Sequence, residues 1–126
     1  MTTLTEGRHA AEFVLSEAAG TRSRESAAIT AGQDLDVGEI VQDDGSGGLT
    51  AYTGALNTAG AVITQAKGIL LYAGVSTTAD VQTVAYIARD AEVNGNLLVF
   101  PTETSTGNER ENAITSLALL GIIVRD

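Results

Sequence analysis

Few side chains in this sequence could do covalent chemistry, and each lacks the neighbours it would need. His9 is the single histidine. It stands in Glu6-Gly7-Arg8-His9-Ala10, a polar stretch with no apolar period to fix it. A general base needs a set orientation and a tuned pKa. An imidazole so placed has neither, and a solvated or partner-contacting ring is the plainer reading. A Ser–His–Asp triad would have to recruit the same His9, and no nucleophile-elbow sequence is present.

Two acidic groupings invite other chemistry. Asp43-Asp44-Gly45-Ser46-Gly47-Gly48 suggests calcium or phosphate. An EF-hand-type loop alternates its acids and ends on a bidentate Glu. Here the acids are adjacent and the next Glu is Glu92. No Lys-Ser/Thr follows the glycines, so the run reads as a solvated turn. Asp90 and Glu92, two residues apart, would share one strand face, and paired carboxylates can cleave glycosides. Sugar sites normally carry aromatic platforms, and the chain has no Trp. A structural or interface role, paired with Arg89 or Arg24, is the better reading. The expectation is no enzyme: no catalytic residue, metal, cofactor or small-molecule substrate.

The elements that hold these residues are mostly short strands. Residues 1–20 are polar and small except for Phe13-Val14-Leu15, where Phe13 and Leu15 share a face if extended. They read as an arm, mobile until something holds it, ahead of a β-rich domain over 21–126. Residues 22–29 predict a short strand ending at Ile29. Residues 32–41 predict a turn and a strand, with Leu35 and Val37 alternating with Asp34 and Asp36 and a bend at Gly38. Residues 49–52 return after the Asp-Gly loop as the second strand of a hairpin. Residues 53–60 form a small-residue loop. Residues 61–64 and 67–75 predict strands, the second broken by Gly68 and Gly74. Residues 81–89 predict another, apolar on both faces over 84–88 as in a buried strand. Asn94-Gly95 signals a turn, although Asn94 could equally end a strand, and 97–100 a strand stopped by Pro101.

One helix is predicted near the C-terminus. Asn108 can cap it, Glu109 and Glu111 lie in its first turn, and Ala113, Ile114, Leu117 and Leu120 recur on one face. Gly121 stands just past its end, and 122–124 return as a strand or core plug.

Composition supports a domain held by aliphatic packing. Of the 126 residues, 44% are hydrophobic, yet only three Tyr and two Phe are aromatic. The absence of Cys excludes disulfides, thiolate metal sites and a thiol nucleophile. Seven Lys+Arg against 16 Asp+Glu give a net charge of −9, which repels phosphate backbones and argues against nucleic acid. No apolar run approaches the ~18 residues that span a bilayer, and no basic-then-apolar leader is evident, so no membrane association is expected.

Several ordered pieces resemble the head decoration proteins of tailed phages, the family of phage lambda's decoration protein. They are Glu6-Gly7-Arg8-His9-Ala10, Phe13 to Glu17, Gly20-Thr21-Arg22-Ser23-Arg24-Glu25, Gly68-Ile69-Leu70, Arg89-Asp90-Ala91-Glu92-Val93-Asn94 and Leu120-Gly121-Ile122-Ile123-Val124. The likeness runs from about residue 6 to residue 125, and departs from lambda's own protein in the N-terminal third. It implies a β-clip fold without catalytic residues. It implies homotrimers on the outer surface of the expanded capsid, at three-fold and quasi-three-fold positions, that stabilise the shell against packaged DNA. It implies an N-terminal arm that orders on the shell by pairing with the major capsid protein. On this reading Glu6, Gly7, Arg8, His9, Ala10, Glu12, Phe13 and Leu15 form the capsid-binding arm. Arg22, Ser23, Arg24, Glu25, Arg89, Asp90, Glu92, Asn94 and Gly121 are family-matching structural positions. The protein would reside in the virion, and in the host cytoplasm before assembly. The alternative from the residues alone is a small β-rich module binding a sugar or a host surface.

Overall fold

The structure is a computed structural model and describes residues 9–54, 64–78, 81–102 and 108–126. Its centre is three antiparallel strands with apolar side chains on both faces: β4 (Ile40–Asp43), β6 (Ala66–Leu70) and β8 (Thr83–Ile87). Strands β2 (Arg24–Ala28) and β5 (Leu49–Ala51) flank them in the order β2-β8-β6-β4-β5. The two flanks meet where Ile29 bridges Leu49 in parallel and the Thr30 N–H donates to the Leu49 carbonyl at 3.0 Å. The sheet therefore curls towards a small barrel, which protects edges that would otherwise lie open.

The period-2 alternation of side chains sorts neighbouring residues into two cores. Val41, Leu70, Tyr86 and Ala88 point to one side, where Ile29, Leu35 and Leu49 join them. Ile40, Ile69, Leu71 and Ile87 point to the other, where Phe13, Val93, Leu117 and Ile122 close over them. This explains why residues 84–88 read as apolar on both faces. Gly68 sits where β6 meets β8, and a Cβ there would fall on the Ile87 carbonyl oxygen.

A second sheet holds the chain's two ends together. Strand β9 (Ala91–Asn94) lies between β1 (Val14–Glu17), antiparallel to it, and β10 (Ile122–Arg125), parallel to it. The helix α1 (Glu109–Ala118) packs on β10 and β6. Ala113 and Leu117 are fully buried, and Ile114 and Leu120 are half-buried. A two-stranded ribbon of β3 (Asp34–Leu35) and β7 (Gly74–Val75) completes the described strands.

The expected class, mainly β with one C-terminal helix in a single domain, is the one observed. Local differences have local causes. Asn108 precedes α1 but its side chain makes no capping hydrogen bond. Residues 97–100 are not a strand. Asn94, at the end of β9, accepts from the Asn96 N–H and starts a 3-10 turn, Gly95–Leu97. Val99 then makes a single bridge to Glu39. The predicted strand at 61–64 lies outside the described residues except for Thr64, which is in a bend.

Candidate functional site

The N-terminal segment enters the fold through a tight elbow. The His9 carbonyl accepts from the Glu12 N–H at 3.3 Å, and the Ala11 carbonyl from the Val14 N–H at 3.2 Å. Ala11 takes a positive φ of 58°, and its N–H donates to the Leu71 carbonyl at 3.0 Å. Phe13 then plugs the larger core, and its carbonyl accepts from the Asn94 N–H at 2.8 Å.

These contacts correct two sequence expectations. Residue 20 is not a boundary between an arm and a domain, because Phe13 and β1 are built into the body of the fold. Nor do Phe13 and Leu15 share a partner-facing side. Val14 pairs with Val93 and Ser16 with Glu92, so β1 advances two residues while β9 advances one. Leu15 is the extra residue of this bulge. Phe13 is buried at 0% exposure, whereas Leu15 is 56% exposed. His9 and Ala10 are exposed and Glu12 is half-buried. Glu6, Gly7 and Arg8 lie outside the described residues.

Around β1 runs a belt of four ion pairs. Glu17 faces Arg24 with Nη2 to Oε1 at 2.9 Å, and also accepts from the buried Ser23 hydroxyl at 3.2 Å. Glu92 meets Arg125 at 2.7 Å, while its other oxygen accepts from the Ser16 hydroxyl at 2.7 Å. Arg89 pairs with Glu25 at 2.6 Å and also donates to the Arg22 carbonyl. Arg22 approaches Asp90 at 3.8 Å. The Glu17 hydrogen bond raises the Arg24 pKa, and the Glu25 hydrogen bond raises that of Arg89. Glu92 is held below the usual carboxylate value, first by the Ser16 hydroxyl and then by Arg125.

The belt brings the expected positions together but pairs them differently. Asp90 precedes β9 with a positive φ of 52°, so it does not share a strand face with Glu92. Glu92 takes Arg125, not Arg89 or Arg24, because parallel pairing sets Ile123 opposite Glu92 and carries Arg125 to the same side. Ser16, Glu17 and Arg125 escaped the search for chemistry. Ser16 and Glu92 are 76 residues apart, and no local pattern links them. Gly121 has φ +80°, and a Cβ there would lie 2.7 Å from an Asp90 carboxylate oxygen. Helix end and Asp90 turn therefore press together, with the Asp90 N–H donating to the Leu120 carbonyl at 3.3 Å.

The acidic glycine loop uses its carboxylates internally. One Asp43 oxygen accepts from the Gly45 and Gly47 N–H groups, both at 2.9 Å. Asp44 accepts from the Ser46 and Gly48 N–H groups and from the Thr30 hydroxyl. Among the described residues no cluster of three or more His, Cys, Asp or Glu is placed to hold a metal ion. No described helix is long and apolar enough to cross a membrane.

Among the described residues β1 is an edge strand, anchored to the core through Phe13 and bordered by surface ion pairs, in a mainly β protein with one helix. The chain belongs to the family of the bacteriophage lambda head decoration protein D, whose model matches residues 3–122. It is thus a structural protein of the phage capsid class, and it takes part in decorating the phage head. No curated protein matches the chain.

Proposed function

We propose that the protein is a cementing protein of a phage head. Homotrimers bind the outer surface of the expanded shell at three-fold and quasi-three-fold positions and stabilise it against the pressure of packaged DNA. The partner is the major capsid protein, and the contact is made by the N-terminal segment through Glu6, Gly7, Arg8, His9, Ala10, Glu12 and Leu15. Phe13 acts from within, as the anchor that holds this segment to the body. Before assembly the trimers reside in the host cytoplasm.

Family membership supports this reading, and β1 carries its mechanism. The strand pairs with β9 along one edge and, among the described residues, has no strand on the other, while Leu15 projects from its bulge. Such an edge can take a further strand, with main-chain hydrogen bonds supplying affinity and side-chain pockets specificity. Ordering an extended peptide costs about 1–2 kcal/mol per residue, so a single contact of this kind is weak. Three contacts on one trimer act by avidity and offset that cost.

Native mass spectrometry tests the proposal with the chain alone, with expanded empty shells and with unexpanded shells. A trimer that loads expanded shells only is expected. Monomers in solution and on the shell, or equal loading of both shells, would overturn it.

A further inference from the structure

Asn94-Gly95 is the one Asn–Gly pair in the sequence. Such a pair is unusually prone to spontaneous deamidation, because glycine has no side chain to shield its nitrogen and leaves the backbone free to rotate. The reaction needs no enzyme. The Gly95 nitrogen gives up its proton to solvent hydroxide and attacks the Asn94 side-chain carbonyl carbon. A new C–N bond forms, the side-chain nitrogen leaves as ammonia, and a five-membered succinimide remains. Water then opens the ring at either carbonyl, giving aspartate or isoaspartate. The sum is amide plus water to acid plus ammonia, with no oxidation or reduction.

The fold holds this pair in the wrong geometry for ring closure. Asn94 is extended, with φ −84° and ψ 109°, which turns the Gly95 nitrogen away from the Asn94 Cβ. Closure needs that nitrogen nearly eclipsed with Cβ, and so a large rotation about ψ. Contacts from both ends of the chain oppose the rotation. The Asn94 N–H donates to the Phe13 carbonyl at 2.8 Å, and the Asn94 Oδ1 accepts from the Asn96 N–H at 3.0 Å. Arg125 stands opposite Asn94 in the parallel register of β10 and β9. Gly95 is buried, and a Cβ there would fall on an Asp126 carboxylate oxygen and 2.8 Å from the Val124 Cγ1. Asp126 is in turn held by Arg110 of α1 at 2.8 Å.

We propose that Asn94-Gly95 is a latent deamidation site that the terminal sheet keeps closed, and that opening of β1 or β10 releases it. Segments near chain ends open at lower free energy than the core, so this sheet opens before the rest of the fold. The two products differ in consequence. Aspartate keeps an oxygen for the Asn96 N–H and adds one negative charge to a chain already at −9. Isoaspartate inserts Cβ into the main chain, so residue 94 no longer meets Phe13 and Arg125 in register. A reversible opening of the sheet then becomes permanent. The working life of the folded chain is set by the rate of that opening rather than by equilibrium stability alone.

Peptide mapping by mass spectrometry tests this on the full chain, aged in warm, mildly alkaline buffer with and without denaturing urea. In urea, Asn94 should deamidate faster than the other four asparagines. In the native chain it should react at least about tenfold more slowly than in urea. Equal rates in the two conditions overturn the lock, and a slow Asn94 in urea overturns the reactivity of the pair. Two variants test the gate. Phe13→Leu loosens the core under the terminal sheet, and Val41→Ala loosens the other core. At urea concentrations that give the two equal global stability, Phe13→Leu should lose Asn94 at least about threefold faster. Equal rates would mean that only global unfolding releases the site, and would overturn the gate. If either variant fails to fold, Arg110→Gln replaces the comparison, because that side chain is 40% exposed and its loss frees Asp126 from above Gly95. Faster loss of Asn94 at an unchanged melting temperature is then expected, and an unchanged rate overturns the gate.

Discussion

Phe13 and Leu15, two residues apart where the chain enters β1, face opposite environments: Phe13 is wholly buried and Leu15 is 56% exposed. The bulge at Leu15 separates them. Truncating the first should act on the fold and truncating the second on assembly. Phe13→Ala is expected to cost about 3–5 kcal/mol, read from denaturant unfolding. Leu15→Ser should leave unfolding within about 0.5 kcal/mol of wild type and weaken shell binding. A stable Phe13→Ala chain would mean that the ring does not fill the core.

The same geometry bears on truncation. Removal of residues 1–8 deletes none of the described core contacts, and the melting temperature is expected to hold. Removal of residues 1–17 deletes Phe13 and all of β1, so that chain should melt well below wild type. Equal melting of the two truncations would show that β1 contributes nothing to the body.

Leu117 and Leu119 test the helix in the same way. Leu117 is fully buried within its own subunit, and Leu117→Ala should cost roughly 2–5 kcal/mol. Leu119 is 73% exposed, and Leu119→Ser should change stability by less than about 0.5 kcal/mol. If Leu119→Ser instead makes melting strongly dependent on protein concentration, the helix end lies between subunits.

Gly121→Ala should destabilise for two reasons. The positive φ costs an L-residue about 1–2 kcal/mol, and the new methyl group meets the Asp90 carboxylate. Gly121→Ala combined with Asp90→Ala removes the second clash but not the first. Partial recovery of the melting temperature is expected, and full recovery would mean that the backbone conformation carries no strain.

Acid should weaken the surface network. Glu92, Asp43 and Asp44 all titrate below their ordinary values of 4.5, 3.8 and 3.8. The leading causes are the Ser16 hydroxyl for Glu92, the Gly47 N–H for Asp43 and the Thr30 hydroxyl for Asp44. A carboxylate lowered in the folded state stabilises it above the unfolded value, and that contribution is lost as pH falls through the folded value. Melting curves of wild type and of Asp43→Asn/Asp44→Asn should therefore converge on acidification below about pH 4. A gap that widens in acid would reverse the assigned sign.

Much of the fold was legible because its signals are local. The alternation at Leu35 and Val37, the Asp43-Asp44-Gly45 hairpin loop, the doubly apolar stretch at 84–88 and the Gly121 turn each depend on neighbours within a few residues. The ordered resemblance to head decoration proteins was legible for the same reason, as short runs kept in sequence. The fate of residues 9–17 was not local. A polar stretch with one Phe reads as loose chain until a core is known to await the ring, and the buried cluster that takes it in draws Ile40, Ile69, Val93 and Ile122 from four different strands. The belt was hidden for a related reason. Arg125 reaches Glu92 only because β10 runs parallel to β9, a register fixed by burying Ile122 and Val93 in one core. Composition and short-range pattern thus determined the class, the charge and the lack of recognisable catalytic motifs. Tertiary packing alone decided which end of the N-terminal segment is anchor and which is surface, because burial depends on residues far apart in the chain.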